Sequence, residues 1–178
     1  MERVNEPMLL AGPMHRDNRG YFRRLYGIDF PDAYFDGGPK QVNLSHNALK
    51  GTLRGMHFQQ PPEMETKIVT CISGRIFDVL VDIREESATY LRWSAFELDE
   101  ASGKSLVVPQ GFAHGFQTLT DDVKIVYFHD HAYVGELAGR LNPLDPALAI
   151  DWPLEISEIS EADARAPMLA VDTGKDLP

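Results

Sequence analysis

Two stretches of this chain set a histidine in an extended run bounded by glycine or proline, and they restrict the fold more than any other feature. The first is Gly51-Thr52-Leu53-Arg54-Gly55-Met56-His57-Phe58-Gln59. The second is Gly103-Lys104-Ser105-Leu106-Val107-Val108-Pro109-Gln110-Gly111-Phe112-Ala113-His114. Glycine and proline at such places end strands and turn the chain. The surrounding sequence follows the same pattern. Gln41 to Ser45 alternates in character, and Lys67 to Ile72 is a strand closed by Ser73-Gly74, which reads as a hairpin turn. A long apolar strand spans Arg75 to Arg84, and another alternating run spans Tyr90 to Leu98. Phe112 to Leu119 and Val123 to His129 are two more strands, joined by Asp121-Asp122. Strands at this short spacing, without helical patterns between them, predict an all-β sandwich or barrel.

The flanks carry weaker signals. An edge strand is expected around Met8-Leu9-Leu10, a polar turn over residues 15–20, and loops over residues 28–39 and 135–146. Leu148 to Pro153 is expected to pack onto the barrel. Ser160 reads as a helix N-cap with Asp163 at the third position. Residues 172–178 are expected to fray. With 178 residues, the chain predicts one domain, residues 1–178. A net charge of −10 argues against a nucleic-acid surface, although arginines gathered in one cleft can still hold an anion. There is one cysteine, Cys71, and no apolar run of the roughly 18 residues a membrane helix needs. Charged residues at positions 2, 3 and 6 interrupt any leader pattern, so a cytoplasmic protein is expected.

The second histidine run, with Gly103, Pro109, Gly111 and His114 at their spacing, resembles the second signature motif of the cupin barrels. The first run fits as well: Gly51, five residues, His57, then Gln59 where many cupins carry another histidine, then Glu63. A finer resemblance rests on six segments in order: Asp17-Asn18-Arg19-Gly20-Tyr21-Phe22, Gln41-Val42-Asn43, Leu53 to Gln59, Asp78 to Arg84, Val108 to Phe116, and Ile150-Asp151-Trp152-Pro153. Together they resemble the dTDP-4-dehydrorhamnose 3,5-epimerase family, whose members are jelly-roll cupins. The resemblance implies epimerisation of a dTDP-linked 4-keto-6-deoxyhexose at the carbons flanking the ketone, with no metal or nucleotide cofactor. It implies His57 as general base, Asp163 as the carboxylate behind it, Tyr127 as the acid on the opposite face and Lys67 near the ketone oxygen. Arg19, Gln41, Asn43, Arg54 and His114 would line the sugar and diphosphate site, and Phe22 and Tyr133 would pack on sugar or base. It further implies a homodimer with exchanged N-terminal strands, for which Met8 to Leu10 are the candidates. The chain departs from the family pattern at Arg24, where an acid is usual, and at Ala162, where a lysine or arginine is usual. Residues 135–145 also lack the family's Trp/Asp-rich run.

The chemistry can be argued without the family. Hydrogen beside a ketone becomes acidic only when the developing enolate oxygen is stabilised, a task suited to a lysine ammonium. Histidine titrates near neutrality and can take the proton, and a carboxylate fixes its tautomer and stabilises the imidazolium. Inversion then needs a donor across the ring, which a tyrosine hydroxyl supplies. Other readings stay open. His57, Glu63 and His114 would make a facial triad for a metal-dependent oxygenase, although Gln59 and Pro61-Pro62 disturb that pattern. A non-catalytic sugar-nucleotide barrel, a single-carbon epimerase and a 3,4-ketoisomerase are further alternatives. His114 suits either a structural or a ligand-facing role, and His129 and His131 read as surface residues.

Overall fold

The computed structural model describes residues 4–27, 34–35 and 38–169, so the predicted loop over 28–39 and the expected frayed end lie largely outside the described residues. The chain runs through β1 (Met8–Ala11), β2 (Met14–Asp17), β3 (Gly20–Arg23), β4 (Gln41–Asn47), β5 (Thr52–Gln59), β6 (Lys67–Ser73) and β7 (Arg75–Asp82). It continues through β8 (Trp93–Asp99), β9 (Lys104–Val108), β10 (Phe112–Thr118), β11 (Val123–His129), β12 (Ala138–Arg140), β13 (Glu158–Ile159) and α1 (Glu161–Ala164). One sheet has the order β1-β9-β6-β11-β4, and the other β12-β5-β10-β7-β8 with β13 added beside β5. β2 and β3 form a separate two-stranded hairpin. The edge strand predicted near Met8 is β1, which pairs with β9 of its own chain.

The interior between the sheets follows from side-chain alternation along each strand. Val69 and Cys71 of β6, Leu106 and Val108 of β9 and Ile125 of β11 meet Ile76 and Leu80 of β7, Leu98 of β8 and Phe112 and Phe116 of β10. Fully burying side chains of this size contributes about 1.5–3 kcal/mol each, so this layer dominates the stability. The outer faces are covered too. Val79, Val81 and Met56 pack under Leu148, Ile150 and Trp152, as the sequence predicts for that segment. Ile68, Val107 and Phe128 pack under Phe35, Leu25 and Tyr26. Strands covered on both faces read as unbroken apolar runs, which is why Arg75 to Arg84 is so hydrophobic. Cys71 belongs to this core, and burial pushes its thiol up to about 12.

Three sequence expectations need correction. Ser73-Gly74 does not close a hairpin, because β6 and β7 belong to different sheets. Gly74 (φ +77°) carries the chain from one sheet to the other, and a Cβ there would meet the Thr120 hydroxyl at 2.6 Å. The polar segment 15–20 is mostly strand, with β2 and β3 pairing around Asn18 and Arg19. Residues 135–146 are not all loop either: Ala138–Arg140 pairs with β5, setting Arg140 opposite His57.

Candidate active site

Between the sheets, beyond the apolar core, opens a cavity of about 320 Å³. One wall is made by β5 and β10, which pair with His57 opposite His114 and Arg54 opposite Phe116. Between those two pairings β5 advances three residues and β10 two, so β5 carries a bulge at Gly55-Met56. Residues three apart on a regular strand face opposite sides. The additional residue instead brings Arg54 and His57 onto the same cavity and turns Met56 to the sheet's outer face, beside Val79 and Val81. Gly55 (φ +131°) permits this, since a Cβ there would lie 2.5 Å from the Gly115 Cα.

His57 is backed by Asp163, with Nε2 2.7 Å from Oδ1. Ser160 caps α1 as predicted, accepting the Asp163 N–H at 3.1 Å, and this short turn presents the carboxylate to the back of the imidazole. The Gly55 N–H donates to Asp163 Oδ2 at 3.4 Å, and Arg140 Nε lies 3.4 Å from Oδ1. Burial alone would raise the Asp163 pKa, but the hydrogen bond and charge of His57 and the Gly55 N–H outweigh it and hold the carboxyl below its ordinary range. With the carboxylate ionised, Nε2 of His57 is the donor and Nδ1 is the basic nitrogen.

The facing wall is β11, whose alternate residues continue the barrel's inward face. Val123 and Ile125 fill the core, and Tyr127 and His129 line the cavity. Tyr127 meets His114 edge-on, with ring centroids 6.2 Å apart, and stacks on His129 at 6.1 Å. Burial first, and then the Asp78 charge, raise the Tyr127 hydroxyl well above the ordinary phenol range, with Arg54 pulling the other way. His114 is buried, with Nε2 2.5 Å from Oδ1 of the buried Asp78. His114 therefore both lines the cavity and is held from behind.

Lys67 opens β6, where a lysine is ordinarily solvated, yet it is buried against the cavity with Nζ 2.9 Å from Glu65 Oε1. His129 Nδ1 lies 2.7 Å from the other oxygen of that carboxylate, and Asn43 Nδ2 lies 3.3 Å from His129 Nε2. Burial works to raise the Glu65 pKa, but the Lys67 charge and the hydrogen bond and charge of a His129 protonated at low pH bring it down to about 2.

The cavity thus brings together His57, Tyr127, Lys67, Asn43, Arg54, His114 and Tyr133 of the residues singled out from the sequence, with Asp163 directly behind His57. Gln41 stands one step back, donating to Asn43 Oδ1 at 3.2 Å and accepting the Tyr133 N–H at 3.0 Å. Arg19 and Phe22 lie outside the cavity of their own chain. Their hairpin is tied to the turn after β8 through Tyr21 to Glu100 and Arg16 to the Ala101 carbonyl. Arg19 pairs with Asp17 with its side chain 86% exposed, and Phe22 is 68% exposed. His129 is corrected from surface to buried, because it shares the inward parity of Tyr127. That same alternation was the signal that finds it. Glu65 stands two positions before Lys67, and a carboxylate at that spacing was the clue to a buried lysine's partner. Asp78, also not singled out, lies between Ile76 and Leu80 on the inward face of β7, where a carboxylate requires a partner. Arg140 had no signal, since nothing in residues 135–146 announces a strand.

Gln59 spends its amide on backbone, donating to the Glu63 and Ala132 carbonyls and accepting the Val134 N–H at 2.8 Å. Glu63 does not line the cavity that holds His57 and His114. Among the described residues, no group of three or more His, Cys, Asp or Glu side chains is arranged to hold a metal ion.

Comparison with known proteins agrees with this geometry. Residues 2–171 match the family described as dTDP-4-dehydrorhamnose 3,5-epimerase. The chain is 43% identical over 157 residues to the dTDP-4-dehydrorhamnose 3,5-epimerase of Streptomyces griseus, covering 86% of this chain and 78% of the relative. The crystal structure of the Bacillus anthracis enzyme of that name, with TDP and PPi bound, has a TM-score of 0.86 at 34% identity and covers 94% of this chain and 97% of that one. A 3'-monoepimerase from Streptomyces bikiniensis, in complex with dTDP-quinovose, has a TM-score of 0.86 at 32% identity, covering 96% of this chain and 87% of that one.

Proposed function

The chain belongs to the dTDP-4-dehydrorhamnose 3,5-epimerase family of jelly-roll cupins, and on that premise we propose that His57, Tyr127, Lys67 and Asp163 carry out its epimerisation. The protein is an isomerase that inverts a dTDP-linked 4-keto-6-deoxyhexose at the carbons flanking the ketone. One observation carries the assignment of residues: His57, with its carboxylate, and Tyr127 open onto the same cavity from facing sheets.

In this reading His57 Nδ1 removes the hydrogen beside the ketone, and the bond's electron pair flows into the enolate. The Lys67 ammonium stabilises the oxygen where charge collects. Asp163 keeps the resulting imidazolium charge-paired. Tyr127, whose raised pKa keeps it protonated at working pH, returns a proton to the opposite face of the ring. Arg54, oriented by a 2.7 Å hydrogen bond from Nε to Asn47, is suited to grip the diphosphate through its remaining N–H groups. Asn43 and Tyr133 line the same cavity, where they would meet the sugar.

A homodimer belongs to the same proposal. Val42 and Leu44 leave apolar surface on the outer edge strand β4, with Leu44 65% exposed, and the hairpin carrying Phe22 is similarly bare. The chain's residues suit a cytoplasmic enzyme of a single domain.

The test is solvent-deuterium incorporation into dTDP-4-dehydro-6-deoxyglucose. Wild type should label both C3 and C5, and label at C3 alone would make this a single-carbon enzyme. His57→Ala should abolish label at both positions with the fold intact. Exchange at near wild-type rate in that variant would remove His57 from the chemistry.

A further inference from the structure

Five hydrogen bonds link the cavity rim to Lys67 in one unbroken series. The Tyr133 backbone N–H meets Gln41 Oε1 at 3.0 Å, and Gln41 Nε2 meets Asn43 Oδ1 at 3.2 Å. Asn43 Nδ2 meets His129 Nε2 at 3.3 Å, and His129 Nδ1 meets Glu65 Oε2 at 2.7 Å. Glu65 Oε1 then takes Lys67 Nζ at 2.9 Å. Amide orientation and imidazole tautomer are ordinarily matters of inference. Here the ends of the series decide them. A backbone N–H can only donate, so Gln41 must turn its oxygen to Tyr133 and its nitrogen to Asn43. Asn43 must then accept from Gln41 and donate to His129, which leaves Nε2 of His129 as an acceptor without a proton. At the other end an ionised carboxylate can only accept, so Nδ1–H of His129 donates to Glu65.

We propose that Gln41, Asn43, His129 and Glu65 form a one-way hydrogen-bond relay that holds His129 neutral and fixes the Lys67 ammonium in the cavity wall, making His129 and Glu65 positioning residues for the epimerisation. The inference rests on the role given to Lys67 above. A second proton on His129 would need Asn43 and then Gln41 to turn over, and the Tyr133 N–H would lose its acceptor. The groups around His129 act in both directions. From β4 it faces only the neutral amides Gln41 and Asn43, and from β11 the ring of Tyr127. From β6 and the residues before it come Glu65, whose carboxylate favours a second proton on the ring, and Lys67, whose ammonium opposes one. Across the cavity stand Arg54, the group of Arg140 and His57 around Asp163, and the His114–Asp78 pair, of which Arg54, bonded to the neutral Asn47, opposes further positive charge. Without the relay Glu65 keeps Lys67 as its partner but loses the contact that fixes its second oxygen, so the ammonium is no longer held in one place.

The test uses three variants of the full chain and one spectroscopic measurement. His129→Leu should lower kcat about 10–100-fold, the scale expected for misplacing a group by about an ångström, with KM changed less than about threefold. His129→Gln should recover to within about threefold of wild type, because its amide both donates to Glu65 and accepts from Asn43 as the neutral imidazole does. Nitrogen-15 spectra of histidine-labelled protein should find His129 protonated at Nδ1 and bare at Nε2 from about pH 6 to 8, where an ordinary histidine titrates. A doubly protonated His129 ring in that range overturns the relay whatever the kinetics. His129→Gln no better than His129→Leu overturns the positioning role, and so does full activity in His129→Leu. Full activity in Lys67→Met would instead overturn the role given to Lys67, a failure that the nitrogen spectra keep separate from that of the relay.

Discussion

Replacing Asp163 by Asn keeps the shape of the side chain and removes its charge, which isolates what the carboxylate does for His57. The effect should fall on the transition state, because only after proton abstraction is the imidazole cationic. The two groups are 2.7 Å apart, with His57 44% exposed and Asp163 buried. At that distance a charge pair is worth about 6 kcal/mol at an effective dielectric of about 20 and about 1.5 kcal/mol in water. A half-exposed imidazole next to a buried carboxylate belongs between these limits. Hydrogen bonds to charged groups contribute about 1.5–3 kcal/mol, and a neutral amide retains roughly a third to a half of that. The expected loss is about 2–3 kcal/mol, or roughly 30–150-fold in kcat with little change in KM. Because the Asp163 pKa is held below its ordinary value, the carboxylate is fully ionised at neutral pH, so rates compared there set a charged partner of His57 against an uncharged one. Initial rates of solvent-deuterium incorporation measure the loss directly. A variant within threefold of wild type, or one altered only in KM, would refute the argument that this carboxylate stabilises a transient imidazolium.

Tyr127→Phe should allow exchange by His57 yet slow completed inversion about 10²–10⁴-fold, read from product stereochemistry, and unimpaired inversion would exclude the phenol as the acid. Gly55→Ala must place a Cβ 2.5 Å from the Gly115 Cα at a φ of +131°, so it should lower stability by about 1–3 kcal/mol and reduce activity as well. An unchanged thermal midpoint there would mean that the bulge is not tightly packed. Glu65 has a native pKa of about 2 against an ordinary 4.5, so its stabilisation is complete above the ordinary value and is lost as pH falls toward the native one. The difference in thermal midpoint between wild type and Glu65→Gln should therefore shrink from about pH 5 to pH 3, and a gap that widened would contradict the assigned sign.

The parts of this molecule governed by local rules were legible in the sequence. Period-two alternation marked most strands, and Ser160 announced the turn that carries Asp163. Alternation also contained His129, which lies in phase with Tyr127, but a histidine beside Asp130 and His131 looked like surface. The parts set by sheet assignment were not legible. A Ser-Gly turn between two apolar runs is the same text whether the chain folds back or crosses over, and only the pairing of β6 with β9 and β11 decides for Ser73-Gly74. Arg140 was hidden for a related reason: three residues without apolar alternation become a strand only because the edge of β5 is there to receive them. Nor does sequence order indicate that Arg19 and Phe22 end on a hairpin turned away from their own chain's cavity.

The bulge at Gly55-Met56 has a consequence for anyone transplanting this chemistry. Arg54 and His57 work side by side only because the strand changes phase between them. Copying Arg-Gly-Met-His into a regular strand of another scaffold would send the guanidinium and the imidazole to opposite faces, even with every residue identity correct. What must be carried over is a one-residue offset together with the bare Gly115 that makes room for it. A designer who conserved the letters and regularised the backbone would obtain a histidine with no anion grip beside it.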